Sequence, residues 1–445
     1  MHDYQTACDS KMNMPINRRF DWSYLLLFPY VAAEYIPWVN AHMQFRFVAP
    51  FLLIWLGLAY TRRPEVQHWE KVKASFLYAV LLSVLYHTFG LVLQPFGYSD
   101  GLTGNDVFDI VRIIAPLLVL HLSVRNGRRR ELGMLVSYWL LCMACTCVMT
   151  LRGGTEIENA SRLITGAGKV GVDSTVVADA IDAGVAPYAH IYAIGLLIAP
   201  MLYCSGFMAR PMKTLCVTLA SLYVVTVYSA NYSICVMAVA LGCVLWLVTR
   251  VGGRPRRVRI SGFVLVVCVV AIVAQPQLVS FMAKPLETFG AITESKQYQM
   301  KIATIVDTIS GVSGTYATDR SELYWRSWRT FLSRPLVGTG LWHYESTQTS
   351  ELGGHSLVFD LLGGAGVLGF GLFVLSLAYV MRYMWTISSV VLGFRWWPAV
   401  SLFMWPAIMV AFLNPLRGYV VYTDLFLLIP GMACLFKVPD SRVRR

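Results

Sequence analysis

The sequence predicts an all-α, polytopic membrane protein of about twelve transmembrane helices with one large loop on its outer side. Three observations predict this. Of 445 residues, 56% are hydrophobic and only 14% charged, against about 25% charged in soluble domains, and the mean hydropathy is +0.57. The apolar residues gather into runs near the roughly 20 residues that a helix needs to cross a bilayer. Lysine and arginine collect in alternate connections, as orientation signals do. The same composition excludes a disordered chain, a collagen-like chain and a secreted disulfide scaffold.

The runs fall at about 22–40, 45–60, 74–96, 107–124, 132–150, 188–207, 214–229, 232–249, 261–282, 356–381, 396–413 and 420–436. Met1 to Phe20 is polar, so the first run is expected to act as an uncleaved signal anchor. The seventh and eighth runs are short and meet at Ser229–Tyr232, which reads as tilted or partly re-entrant packing. All cysteines but Cys8 lie inside apolar runs, where a thiol behaves as a small hydrophobe. No cysteine pair has zinc spacing with histidine nearby. With the N-terminus inside, the inner segments hold 24 of the 37 Lys and Arg residues and the outer ones 13. Both termini are therefore expected on the cytoplasmic side. The net charge of +12 reads as membrane topology rather than nucleic-acid binding.

Two outer connections are long, Leu151–Pro187 and the 72-residue Ala283–Gly354. The chain thus divides into helices one to nine (1–282, with outer loop 151–187), a large outer loop (283–354), and helices ten to twelve with a basic tail (355–445). Long loops on a compact scaffold usually carry function. No internal repeat is evident. The connection Met208–Lys213 is brief, unlike the long central linker of two-halves transporters.

In the large loop, Tyr324, Trp328, Phe331 and Leu332 share one helical face. Asp319 and Glu322 have capping-box spacing, and Arg334-Pro335 followed by Gly338 and Gly340 reads as a stop. A surface helix is expected over about 320–333, its aromatic face used for packing against the rim or the lipid interface. Arg320 would then stand at the first helical position, where unpartnered N–H groups attract phosphate and a guanidinium adds a bidentate grip. A solvated arginine or an ion pair with Asp319 or Glu322 is the alternative. Beyond it, His355 or Ser356 is expected to cap the tenth span. The positive end of the helix dipole favours a neutral imidazole, the form able to accept a proton. A histidine satisfied by backbone or water is the alternative. Gly363, Gly364, Gly366 and Gly369 permit close packing. Asp360, just over one turn inside the membrane, is a functional candidate or the partner of a neighbouring helix. Asp109 and Arg112, three residues apart, read as an ion pair, with Arg112 facing a substrate cavity as the functional alternative. His87, His121 and His190 read as packing or cavity residues. Asn414-Pro415-Leu416-Arg417 reads as a tight outer turn.

An arginine on a tryptophan-bearing helix, then Arg334-Pro335-Leu336-Val337-Gly338-Thr339-Gly340, Gly354-His355-Ser356 and Gly366-Val367-Leu368-Gly369, is an order that resembles the O-antigen ligase and polymerase (Wzy-type) superfamily. The detailed match covers roughly 320–370; elsewhere the likeness is one of topology. The resemblance implies a GT-C-like, metal-independent, inverting glycosyltransferase without cofactor. It would use a polyprenyl-diphosphate-linked oligosaccharide at the periplasmic face of the bacterial inner membrane. By the same resemblance, His355 activates the acceptor hydroxyl and Arg320 holds the donor diphosphate. The superfamily often has a second arginine between the seventh and eighth spans, where this chain reads Ser229-Ala230-Asn231-Tyr232. Arg162, Arg152, Arg112 and Arg417 are the outer arginines that can replace it. Arg162 is favoured because Arg162-Leu163-Ile164-Thr165-Gly166 looks like outer-loop segments of polymerases. These residues, with Asp360, form the expected substrate-binding set, and a chain-length regulator is the expected partner by analogy. The leading reading is an O-antigen or exopolysaccharide polymerase. The rivals are an O-antigen ligase, which uses lipid A-core as acceptor, and a transporter of lipid-linked glycans, which has little need of a 72-residue outer loop.

Overall fold

The structure, a computed structural model, describes residues 20–43, 45–62, 64, 69–89, 104–157, 160–165, 174–230, 232–251, 315–339, 351–388, 392, 396–416 and 419–436. The expected ninth span, 261–282, lies outside these residues, as do both polar termini. All described elements are helical. Five of them, Arg129–Glu156, Tyr188–Ser205, Arg210–Ser229, Leu357–Thr386 and Trp396–Leu413, are long and apolar enough to cross a membrane, and four shorter apolar helices accompany them.

A short 3-10 turn, Trp22–Leu26, is capped by the Asp21 side chain, which accepts from the Ser23 amide at 3.1 Å. It leads into α1 (Leu27–Tyr35). The expected single span 22–40 is in fact broken: α1 ends at Ile36, whose backbone is extended, and α2 (Pro37–His42) starts anew. The physical reason is Pro37, which has no N–H and pushes its predecessor out of helical geometry. Next come α3 (Phe45–Tyr60), α4 (Trp69–His87), α5 (Gly104–Arg125) and α6 (Arg129–Glu156). Two short helices follow, α7 (Ala160–Thr165) and α8 (Ser174–Asp182), then α9 (Tyr188–Ser205), α10 (Arg210–Ser229) and α11 (Ser233–Val251). The large loop contributes α12 (Thr315–Ser333), and α13 (Leu357–Thr386), α14 (Trp396–Leu413) and α15 (Tyr419–Thr423) complete the order. A wider π turn, Asp424–Leu428, extends α15.

The core is built around α9, which is buried along almost its whole length and packs on α10, α11 and α14. α1 packs on α3 and α6, α4 on α13, and α5 on α15. The ion pairs among the described residues lie towards the ends of this bundle. One end is basic. Arg62 grips the Asp21 carboxylate, and the Asp21 amide donates to Glu131 Oε1 at 3.1 Å. Arg125 and Asn126 donate to the carbonyls of Tyr60 and Ala59, and Arg129 to that of Ala433. The opposite end holds the α1–α2 break and the starts of α9 and α13.

α12 starts at Thr315 rather than near 320. Arg320 therefore lies in the second turn, not at the first helical position, and Asp319 lies inside the helix rather than at its start. No breaker stands between Gly314 and Arg334, so the helix extends back to that glycine's neighbour. The aromatic face packs as expected. Tyr324 donates to the Leu413 carbonyl at 2.8 Å, and the rings of Tyr324 and Trp328 lie 5.9 and 6.2 Å from that of Phe359. Leu332 points outward instead.

α13 is kinked at Gly366, where φ is 63° and ψ is −169°, a region that only glycine enters readily. The kink leaves backbone groups without helical partners, and the turn after α12 fills them. Val367 N donates to Pro335 O at 2.8 Å and Leu368 N to Leu336 O at 3.1 Å, while Thr339 N donates to Gly363 O at 3.0 Å. A Cβ at Gly366 would strike the Leu336 backbone. The two glycine-containing stretches far apart in sequence, 334–339 and 363–369, are thus one structural unit. Gly366 packs against loop backbone, Gly363 against the Ser327 backbone of α12, and Gly369 against the Phe89 ring just beyond α4.

Candidate functional site

The turn that carries His355 sits where α12, α13 and the end of α14 meet. Gly353 abuts the backbone of Leu323 so closely that a Cβ would overlap it. Leu323 is three residues beyond Arg320, so the helix bearing the arginine and the turn bearing the histidine are packed against each other. His355 itself is half-buried. Ser356 is the helix cap, its hydroxyl accepting from Phe359 N at 3.3 Å and donating to Ala411 O at 3.2 Å. Leu357 N donates to Asn414 O at 3.3 Å, and Asn414 Nδ2 donates to the Tyr192 hydroxyl at 2.9 Å. A wall of tyrosines continues from there, with the Tyr188 and Tyr232 rings 5.0 Å apart.

Asp360 is buried beneath the turn, 1% exposed. Its Oδ1 accepts from Gly354 N at 3.1 Å and from the Ser327 hydroxyl at 2.6 Å, and its Oδ2 accepts from Ser356 N at 3.1 Å. Ser327 in turn accepts from Gly353 N at 2.8 Å. Nothing in the local sequence singles out Ser327, a lone serine among aromatic and basic residues.

The other expected site residues are placed apart. Arg112 pairs with Glu34 Oε1 at 3.1 Å and donates to Asn40 Oδ1 at 3.0 Å. The expected pairing of Arg112 with Asp109 involves a side chain outside the described residues. Glu34 and Asn40 lie on either side of the α1–α2 break and both meet Arg112 of α5. His190 Nε2 holds the freed Glu34 carbonyl at 3.0 Å. The Thr146 hydroxyl donates to the freed Tyr35 carbonyl. Arg152 is a surface residue, 83% exposed and 3.5 Å from Glu156. Arg162 belongs to α7 and Arg320 to α12, but the side chains of both lie outside the described residues, as does all of Arg417. His121 meets the Tyr383 hydroxyl at 2.9 Å and His87 the Ser83 carbonyl at 2.7 Å, both packing roles. Among the described residues no three His, Cys, Asp or Glu side chains gather as metal ligands would.

What this geometry offers chemically is an imidazole on a turn fixed from below, beside a helix carrying a guanidinium. No family model matches the chain, and no curated protein matches it either.

Proposed function

We propose that this protein is a twelve-span, GT-C-like polysaccharide polymerase of a bacterial inner membrane. It transfers a glycan from polyprenyl diphosphate onto a lipid-linked repeat unit. The observation that carries the reading is the His355 turn, packed at Gly353 against the Arg320-bearing helix at the end of the bundle opposite the basic cluster. If the basic end faces the cytoplasm, as Lys and Arg distribution favours, both termini are cytoplasmic and the turn faces the periplasm.

His355 removes the proton from an acceptor sugar hydroxyl. That oxygen attacks the anomeric carbon of the donor from the face opposite the diphosphate. The bond from the anomeric carbon to the diphosphate oxygen breaks with its electron pair, and the configuration inverts. The departing charge needs fixed cations that do not lose protons. Arg320 supplies one. Arg112, already engaged by Glu34 and Asn40, and Arg152, paired at the surface, serve structure. Arg162 and Arg417 remain for the second cation, the latter three residues beyond Asn414, which touches the start of α13.

The test is lipopolysaccharide from a deletion strain carrying His355→Ala or Arg320→Ala. Both variants are expected to give core plus a single repeat. Near-normal ladders from both would overturn the reading. Bare core with lipid-linked polymer accumulating would point to the ligase activity instead. Purified protein that moves synthetic lipid-linked repeats across a bilayer without extending them would point to transport.

A further inference from the structure

We infer that Asp360 is a positioning residue for His355, locking the histidine-bearing turn from both flanks and tying it through Ser327 to the helix that carries Arg320. The inference rests on the reading of His355 as the base. Sequence position alone made Asp360 a substrate-binding candidate, but its burial argues otherwise. The carboxylate is 1% exposed and accepts three hydrogen bonds from the protein, so it does not reach a substrate. Those bonds come from Gly354 N and Ser356 N, the residues on either side of His355, and from the Ser327 hydroxyl. With its two neighbours' amides anchored, the His355 backbone is held on both flanks.

Ser327 extends the lock to a second element. Its hydroxyl donates to Asp360 and accepts from Gly353, and it lies two turns beyond Arg320 on α12. One carboxylate and one hydroxyl therefore fix the separation between the base-bearing turn and the cation-bearing helix. Charged acceptors make stronger hydrogen bonds than neutral ones. An asparagine at 360 could not replace them, because its NH₂ group would face a donor at one of the three positions.

The experiment uses purified full-length protein with a synthetic polyprenyl-diphosphate repeat unit, comparing wild type, His355→Ala, Asp360→Asn and Ser327→Ala. Misplacing a catalytic group by about 1 Å can cost about 10²-fold in rate. Asp360→Asn is expected to lower kcat by roughly that factor while the KM for donor stays within about twofold, since uniform binding is untouched. Ser327→Ala is expected to lower kcat by about tenfold, and to add little in the Asp360→Asn background because the two act as one network. A raised KM with unchanged kcat would show that Asp360 binds substrate, and overturn the inference. So would a wild-type kcat in Asp360→Asn. If Asp360→Asn does not accumulate, Ser327→Ala decides: a wild-type kcat there overturns the inference.

Hydrogen exchange separates this inference from the proposed reaction. Amides of 353–356 should exchange faster in Asp360→Asn than in wild type, while those of α9 stay unchanged. Unchanged exchange at 353–356 overturns the lock even if the enzyme reads correctly. A wild-type protein that extends no chain overturns the proposed reaction but leaves the exchange result to judge the lock.

Discussion

Two helices in this bundle are broken, and the breaks are mended in different ways. At Ile36–Pro37 the freed carbonyls of Glu34 and Tyr35 are taken by side chains, His190 at 3.0 Å and the Thr146 hydroxyl. At Gly366 the freed groups of Gly363, Val367 and Leu368 are taken by backbone, from the turn Pro335–Thr339. Within a membrane, irregular backbone is tolerated only where protein or trapped water satisfies it, so both repairs answer one requirement. They differ in what they couple. A side-chain repair fixes neighbouring spans α6 and α9 to α1 and involves no loop. A backbone repair requires that an entire loop segment be docked, so the integrity of α13 depends on the loop that carries α12.

The largest effect should therefore follow from Gly366→Ala. The backbone there has φ of 63°, and a Cβ would meet the Leu336 backbone. Strain of this kind costs about 1–3 kcal/mol, and overpacking adds about 1–3 kcal/mol. The expected outcome is a strongly lowered thermal midpoint of the detergent-solubilised protein, with faster hydrogen exchange across both 335–339 and 363–368. A midpoint equal to wild type would mean that the turn does not brace the kink.

This contrast also shows what could be read from sequence. The apolar runs locate the helices because span length is set by bilayer thickness, and the α12 aromatic face follows from its period. Pro37 announced the first break, yet it was read through because the run around it is apolar on both sides. The second break was not legible, since four glycines between 363 and 369 allow a kink at any of them. The α12 start was misplaced because Asp319 and Glu322 happen to have cap spacing, while the helix needs no cap there. Glu34 as a partner of Arg112 was not legible, because the two are near only in space. The Asp360–Ser327 pair was hidden for the same reason.

A smaller effect is expected at the first break. His190→Ala removes the donor to the Glu34 carbonyl from a side chain 4% exposed, and leaves a cavity beside Tyr35, whose ring lies 6.3 Å away. Hydrogen bonds between membrane helices contribute about 0.6 kcal/mol on average and up to about 1.7 kcal/mol, with the lost packing adding to this. The thermal midpoint should fall by less than in Gly366→Ala. Because no loop is involved, exchange across 335–339 should not change. An equal disturbance of that turn would erase the distinction between the two repairs.

The smallest effect belongs to Thr146→Val, which keeps shape and removes one hydroxyl. Thr146 Oγ1 also lies 3.1 Å from the Cys142 carbonyl of its own helix, so its proton is shared between an intrahelical acceptor and the Tyr35 carbonyl. Losing it removes no helical backbone bond from α6 and costs about 0.6 kcal/mol. The Tyr35 hydroxyl keeps its own bonds, to Asp424 Oδ1 at 2.5 Å and to Val420 O at 3.1 Å, so α1 stays anchored to α15. The midpoint should match wild type within error. A loss as large as that of His190→Ala would show that the hydroxyl, not the imidazole, holds the first break together.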